Sequence, residues 1–214
     1  MTAEFEGLIY RLARGPDPWQ PLDWALAGPD GTFGNRFDDP DGAYRVLYAS
    51  SQRLGCYLET LARFRVDPTL YAELADITGE DDFTQFGHVP PEWAETRMLG
   101  SATQYGSYAE IYGDEWIAIL RRDLAADCVQ LGIAELNAGV LQQSGLRALT
   151  QRASRLVYNS AFDGIRYLSR YGHHICNWAL FEPFKINPRG PTPLDLCDPD
   201  LQEALAIHHL QLGT

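Results

Sequence analysis

Three residues within a short stretch could do chemistry together. They are Arg36 in Gly34-Asn35-Arg36-Phe37, Tyr48 in Tyr44-Arg45-Val46-Leu47-Tyr48-Ala49-Ser50, and Glu59 in Leu58-Glu59-Thr60. An Arg preceded by glycines can come close to a phosphate and clamp it bidentately. A Tyr offers a ring face to an aromatic base. A fixed carboxylate can steady the positive charge that develops on a sugar as a glycosidic bond breaks. The combination points to chemistry on a nucleotide such as NAD rather than to a plain binding module.

Each residue also has an ordinary explanation. Arg36 could pair with Asp38 or Asp39 to hold its loop, and Tyr48 could be a core aromatic. Glu59 is harder to dismiss: its neighbours Cys56, Leu58 and Leu61 are mostly apolar, which puts it near the buried side of a helix. A carboxylate there needs a partner or a function.

The elements that must position these residues follow from pattern. Gly7 to Arg14 reads as a short strand, and Pro16 to Asp41, with five prolines and several glycines, as a long irregular segment. A loop of that length in a compact domain is usually functional. Tyr44 to Ala49 reads as a half-buried or central strand. Ser50 or Ser51 is then expected to cap a helix over about Gln52 to Phe64, with Leu54, Leu58 and Leu61 on one face. Val66 to Ser101, which contains the acidic Gly79-Glu80-Asp81-Asp82, reads as mixed strands and loops. Beyond it the pattern suggests a helix over Ser107 to Leu120, a strand at Cys128 to Leu131, and a helix over Leu146 to Tyr158 with apolar residues on a helical period. Gly164 to Leu168 and Ile175 to Phe181 read as strands, with Ser169 in the turn between them, and Asp198 to Leu212 as a terminal helix. Strands and helices are interspersed without regular βαβ alternation, so the expected class is α+β.

Composition bounds the function. A chain of 214 residues with 45% hydrophobic and 21% charged residues suits one globular domain with a sizeable core. No apolar run of about 18 residues is present, so no membrane span is expected. Met1 to Glu6 has no basic residue and no apolar segment, unlike a signal peptide, which makes the cytoplasm the expected compartment. A net charge of −12 weighs against a broad nucleic-acid surface. Lys185 is the one lysine among 17 basic residues, and Arg suits phosphate better than Lys does. Cys56, Cys128, Cys176 and Cys197 are far apart and read as buried free thiols. His173-His174 and His208-His209 are adjacent pairs without the i, i+4 spacing of a helical metal site, so no metal is expected. Apolar positions in Asp198 to Leu212 could pack on the domain or across a homodimer.

The order of several motifs resembles the RES domain family. They are Arg36-Phe37-Asp38-Asp39-Pro40, then Tyr44 to Ser50, then Leu58-Glu59-Thr60, then Phe162-Asp163-Gly164-Ile165-Arg166-Tyr167-Leu168-Ser169-Arg170. Ile9-Tyr10-Arg11 and Asn177-Trp178-Ala179-Leu180-Phe181-Glu182 look like the family's two ends. The likeness spans about residues 7–185, leaving 186–214 as a C-terminal extension with a helix packed on the domain. It implies a single domain related to the ADP-ribosyltransferase fold, with mixed or antiparallel sheets and flanking helices. It also implies NAD breakdown by hydrolysis or phosphorolysis, or ADP-ribosylation of a protein. Many members are toxins neutralised by an Xre-type antitoxin. Arg36, Glu59 and Ser169 correspond to the family's Arg, Glu and Ser, Tyr48 to its strand-end Tyr, and Arg11 to its N-terminal Arg. The chain departs from the Xre-linked type in having Gly-Asn-Arg-Phe for Gly-Gly-Arg-Trp and Tyr-Leu-Ser for Val-Pro-Ser.

On that resemblance, Glu59 would stabilise the sugar cation, and Tyr48 would stack on nicotinamide or shape its pocket. Arg11 and Arg36 would fix the pyrophosphate, and Ser169 would bond the carboxamide or the ribose. NAD is then a substrate. The acceptor stays open between water, inorganic phosphate (met by Arg45 or Arg170) and a protein side chain. A nucleotide-binding module without catalysis is the non-enzymatic alternative.

Overall fold

The computed structural model describes residues 3–29, 31–66, 87–143 and 145–213; the acidic cluster at 79–82 lies outside them. Its scaffold is a pair of long strands. β1 (Ala3–Arg14) runs antiparallel to β4 (Arg97–Glu110), from Ala3 opposite Tyr108 to Arg14 opposite Arg97. β1 also meets β2 (Val46–Ser50), at Tyr10 and Ser50. β2 pairs antiparallel with β6 (Gly172–Phe181), and β6 with β5 (Gly164–Ser169). β5 then lies parallel to the end of β4, with Tyr108 opposite Gly164. The path therefore returns to its first strand, and the sheet closes on itself. β7 (Ile186–Pro188) and β8 (Thr192–Pro193) pair antiparallel with β4 on the edge away from β1, so residues assigned from sequence to the extension join the main sheet. A separate parallel pair joins β3 (His88–Val89) and β9 (Gln211–Leu212). The class is α+β, one mixed sheet with helices on its flanks.

The helices flank this sheet in two groups. α1 (Arg53–Leu61) carries Glu59 and buries Leu54, Cys56, Tyr57, Leu58 and Leu61. It approaches the sheet at Gly55, where an added Cβ would stand 2.1 Å from the Ser50 hydroxyl and 2.6 Å from Ile175 Cγ2. Only Gly permits that approach, and it fixes the turn on which Glu59 follows. α7 (Pro199–His208), with Pro199 in its first turn and Asp198 as its cap, covers the far side of α1 through Leu201, Ala204 and Leu205. α2 (Pro91–Glu95) closes the same cluster with Trp93. The second group is α3 (Asp114–Asp123), α4 (Ala125–Gln130), α5 (Ala138–Gln142) and α6 (Arg147–Asn159). It packs Ile117, Leu120, Leu149, Ala153 and Val157 against Phe37, Ile165, Ala179 and Phe181.

Several sequence expectations change. Ser107 to Glu110 ends β4, and the helix begins only at Asp114, because Tyr108 and Ala109 complete the ladder to β5. Cys128 to Gln130 is helical, not extended: Cys128 faces the core while Val129 is exposed, a helix-face pattern. The cap of α1 is Gln52, without a side-chain bond; Ser51 Oγ instead accepts from the Cys176 amide at 3.1 Å. The region after Val66 includes the short helix α2 beside its strands. Ser169 closes β5 rather than sitting in the turn. Cys56 and Cys128 are buried, whereas Cys176 is half-buried and Cys197 exposed.

Candidate active site

Glu59 is a half-buried carboxylate whose position is set by two neighbouring strands. Ser169 Oγ donates to Glu59 Oε1 at 2.9 Å, and Asn177 Nδ2 donates to the same oxygen at 2.9 Å. The Tyr171 amide donates in turn to Ser169 Oγ at 3.2 Å, which orients the hydroxyl. Both donors converge on Oε1, and Oε2 has no protein donor among the described residues. The carboxylate is thereby oriented with one oxygen held and one available.

Glu59 lines a cleft of about 300 Å³ together with Arg11, Arg36, Tyr48, Tyr167 and Arg170. The structure thus brings Arg11, Arg36, Tyr48 and Glu59 to one cavity. Ser169 reaches it through its bond to Glu59. Arg11 donates Nε to Pro18 O at 2.6 Å and Nη1 to Tyr48 O at 2.7 Å. Both acceptors are neutral carbonyls, so no carboxylate offsets this cation among the described residues. Burial pulls its guanidinium down to about 10, which still leaves it charged at neutral pH. A half-buried cation met by carbonyls suits an incoming anion.

Arg36 stands on the long loop, and three contacts from α6 hold that loop. Gln151 Nε2 donates to Asn35 O at 3.0 Å, Ser154 Oγ to Phe37 O at 2.6 Å, and Arg155 pairs with Asp39 at 3.1 Å. From the other side Tyr48 Oη donates to Asp38 Oδ1 and accepts from the Phe37 amide, both at 2.9 Å. Asp38 also accepts from the Asn35 amide at 2.7 Å. The two acidic residues that might have neutralised Arg36 are therefore engaged elsewhere. Arg36 itself donates Nη2 to Gln142 O at 3.1 Å. Burial and the nearby Asp38 push the Tyr48 phenol well above its usual range, so it stays a donor. Burial raises the Asp38 carboxyl as well.

Arg45, considered from sequence as a phosphate ligand, is committed to a two-pronged pair with Glu182 and does not line the cleft. Arg170 does line it. Cys56 is in the wall, but burial pushes its thiol up to about 12, which leaves a neutral thiol and no nucleophile. Among the described residues no group of three or more His, Cys, Asp or Glu side chains could hold a metal ion. Sequence reasoning missed Asn177, Asp38 and the anchoring role of α6. Asn177 carried a usable signal, since it is an amide inside the otherwise apolar run of β6.

A closed α+β sheet bearing an arginine-lined cleft around one clamped carboxylate is an architecture suited to a phosphorylated ligand. The RES domain family profile matches residues 8–194, and the chain belongs to that family. Among solved structures, a chain of the MbcT–MbcA toxin–antitoxin complex of M. tuberculosis shares the fold. Its TM-score is 0.54 at 14% identity, over 96% of this chain and 92% of that one. No curated protein sequence matches the chain.

Proposed function

We propose that this protein is an NAD-consuming enzyme that cleaves the nicotinamide–ribose bond and passes ADP-ribose to water or inorganic phosphate. The observation that carries this reading is Glu59, which lines an arginine-bearing cleft with one carboxylate oxygen held by Ser169 and Asn177 and the other without a protein donor among the described residues. NAD supplies what such a cleft lacks: two phosphates for Arg11, Arg36 and Arg170, and a sugar that becomes cationic. When the N-glycosidic bond breaks, its electron pair goes to the nicotinamide nitrogen, which was positively charged and leaves neutral. Positive charge then spreads over the ribose ring carbon and oxygen, where a nearby carboxylate stabilises it. Because the leaving group is neutral, no strong general acid is needed. Attack by water gives ADP-ribose and releases a proton; attack by phosphate gives ADP-ribose-1″-phosphate. With its hydroxyl tied to Asp38, Tyr48 offers the cleft its ring rather than its oxygen.

Family membership and the resemblance to a toxin's fold support a further role as the toxin of a toxin–antitoxin pair, with an Xre-type protein as partner. The distinguishing experiment is incubation with NAD, with and without phosphate, followed by product analysis. Nicotinamide with ADP-ribose or its 1″-phosphate is the expected outcome. Label on protein would favour ADP-ribosyl transfer to a protein side chain, and no product would leave a nucleotide-binding module.

A further inference from the structure

Asn177 lies in β6, opposite Ser50 of β2 and Tyr167 of β5, and is 1% exposed. Its amide nitrogen reaches the Glu59 oxygen that Ser169 also reaches. Chemistry fixes the orientation of the amide: an ionised carboxylate only accepts, so nitrogen and not oxygen must face it. The amide oxygen is thereby turned away, buried, and without a donor among the described residues. A buried unpaired carbonyl destabilises a fold, and an apolar residue of similar size would avoid that penalty. Asn177 lines the cleft, but its amide nitrogen is taken up by Glu59 and its amide oxygen is buried.

We infer that Asn177 is a positioning residue for the proposed reaction, fixing Glu59 rather than meeting the substrate. A glutamate side chain has three rotatable bonds, and α1 alone leaves them free. Donors from the end of β5 and the middle of β6 approach Oε1 together and define the plane of the carboxylate. Oε2 is thereby directed at the cleft before a ligand arrives, so no reorganisation is needed as charge develops.

The inference rests on the NAD-cleaving reading, and its test has one arm that does not. In the NMR spectrum of the full chain, the Asn177 side-chain amide protons should move upfield in Glu59→Ala, where the charged acceptor is gone. If they do not move, the contact is absent and the inference is wrong. In the kinetic arm, Asn177→Leu should lower kcat for nicotinamide release about 10- to 100-fold, with KM within about threefold and no loss of melting temperature. Wild-type kcat in this variant, folded, would overturn the positioning role. Should Asn177→Leu fail to fold, Asn177→Asp keeps the shape and places a second carboxylate beside Glu59. The two would share one proton, and kcat should fall as rising pH removes it, an alkaline limb foreign to the wild type. A variant profile that parallels the wild type would contradict the inference. If the wild type releases no nicotinamide at all, the proposed function fails and the kinetic role with it, while the NMR arm still reports on the clamp.

Discussion

Arg11 and Arg36 face the same cleft with different commitments. Arg11 is held by two carbonyls, whereas Arg36 has one, Gln142 O. Arg36 is the more available of the two for a phosphate. Arg36→Ala should therefore raise KM for NAD by about 10- to 100-fold, the worth of one charged hydrogen bond, with a smaller change in kcat. Steady-state kinetics check this; a fall in kcat at constant KM would move Arg36 from binding to chemistry. All five residues singled out from sequence, Arg11, Arg36, Tyr48, Glu59 and Ser169, converge on this region. What the sequence could not convey was their division of labour. Ser169 was expected on the substrate, yet its hydroxyl is spent on Glu59. The Tyr48 hydroxyl is spent on the loop that carries Arg36. Such assignments depend on partners ten or more residues away, which a linear pattern does not display.

At the scale of elements, the helix that bears Glu59 is braced by α7. His208 Nε2 lies 2.9 Å from Leu58 O, one residue before the carboxylate, and its ring meets Tyr171 edge-on at 5.0 Å. Burial lowers the His208 pKa from 6.5, aided by Arg65 and opposed by the Leu58 carbonyl and Glu59. The sign follows from proton binding: between the lowered value and about 6.5 the unfolded chain takes up a proton that the folded chain refuses. Stability from this site is therefore present above about 6.5 and lost as pH falls toward the folded value. Thermal melts at pH 7.5 and 5.5 should show the loss in the wild type and a smaller one in His208→Gln; equal losses in both would contradict it. Elements with strong local signals, such as α1, α6, β5 and β6, were legible from periodicity. The misread ones, Ser107 to Glu110 and Cys128 to Gln130, were decided by packing. The first completes a ladder with β5, and the second turns Cys128 toward Leu124 and the core.

For the molecule as a whole, a net charge of −12 coexists with a cleft bearing Arg11, Arg36 and Arg170. The acidic surface repels a dinucleotide at long range, while the cleft attracts its pyrophosphate at short range. Salt screens both within about 8–10 Å at physiological strength, but the exposed surface more than the enclosed cleft. Raising salt from low to moderate strength should therefore change KM for NAD by only a few-fold. A steep rise in KM would mean that the arginines act from open solvent. The α+β class was readable from the spacing of its elements. The closure of the sheet was not, since it depends on β1 meeting β2 at a single residue pair, Tyr10 with Ser50.

The most direct test of the account concerns Glu59. Nicotinamide release from NAD should be measured for the wild type and for Glu59→Gln at equal folded concentration. Gln keeps the size of the side chain and removes its charge. The account predicts release by the wild type and a rate about 100- to 1000-fold lower in Glu59→Gln. Equal rates, with both variants folded, would contradict it.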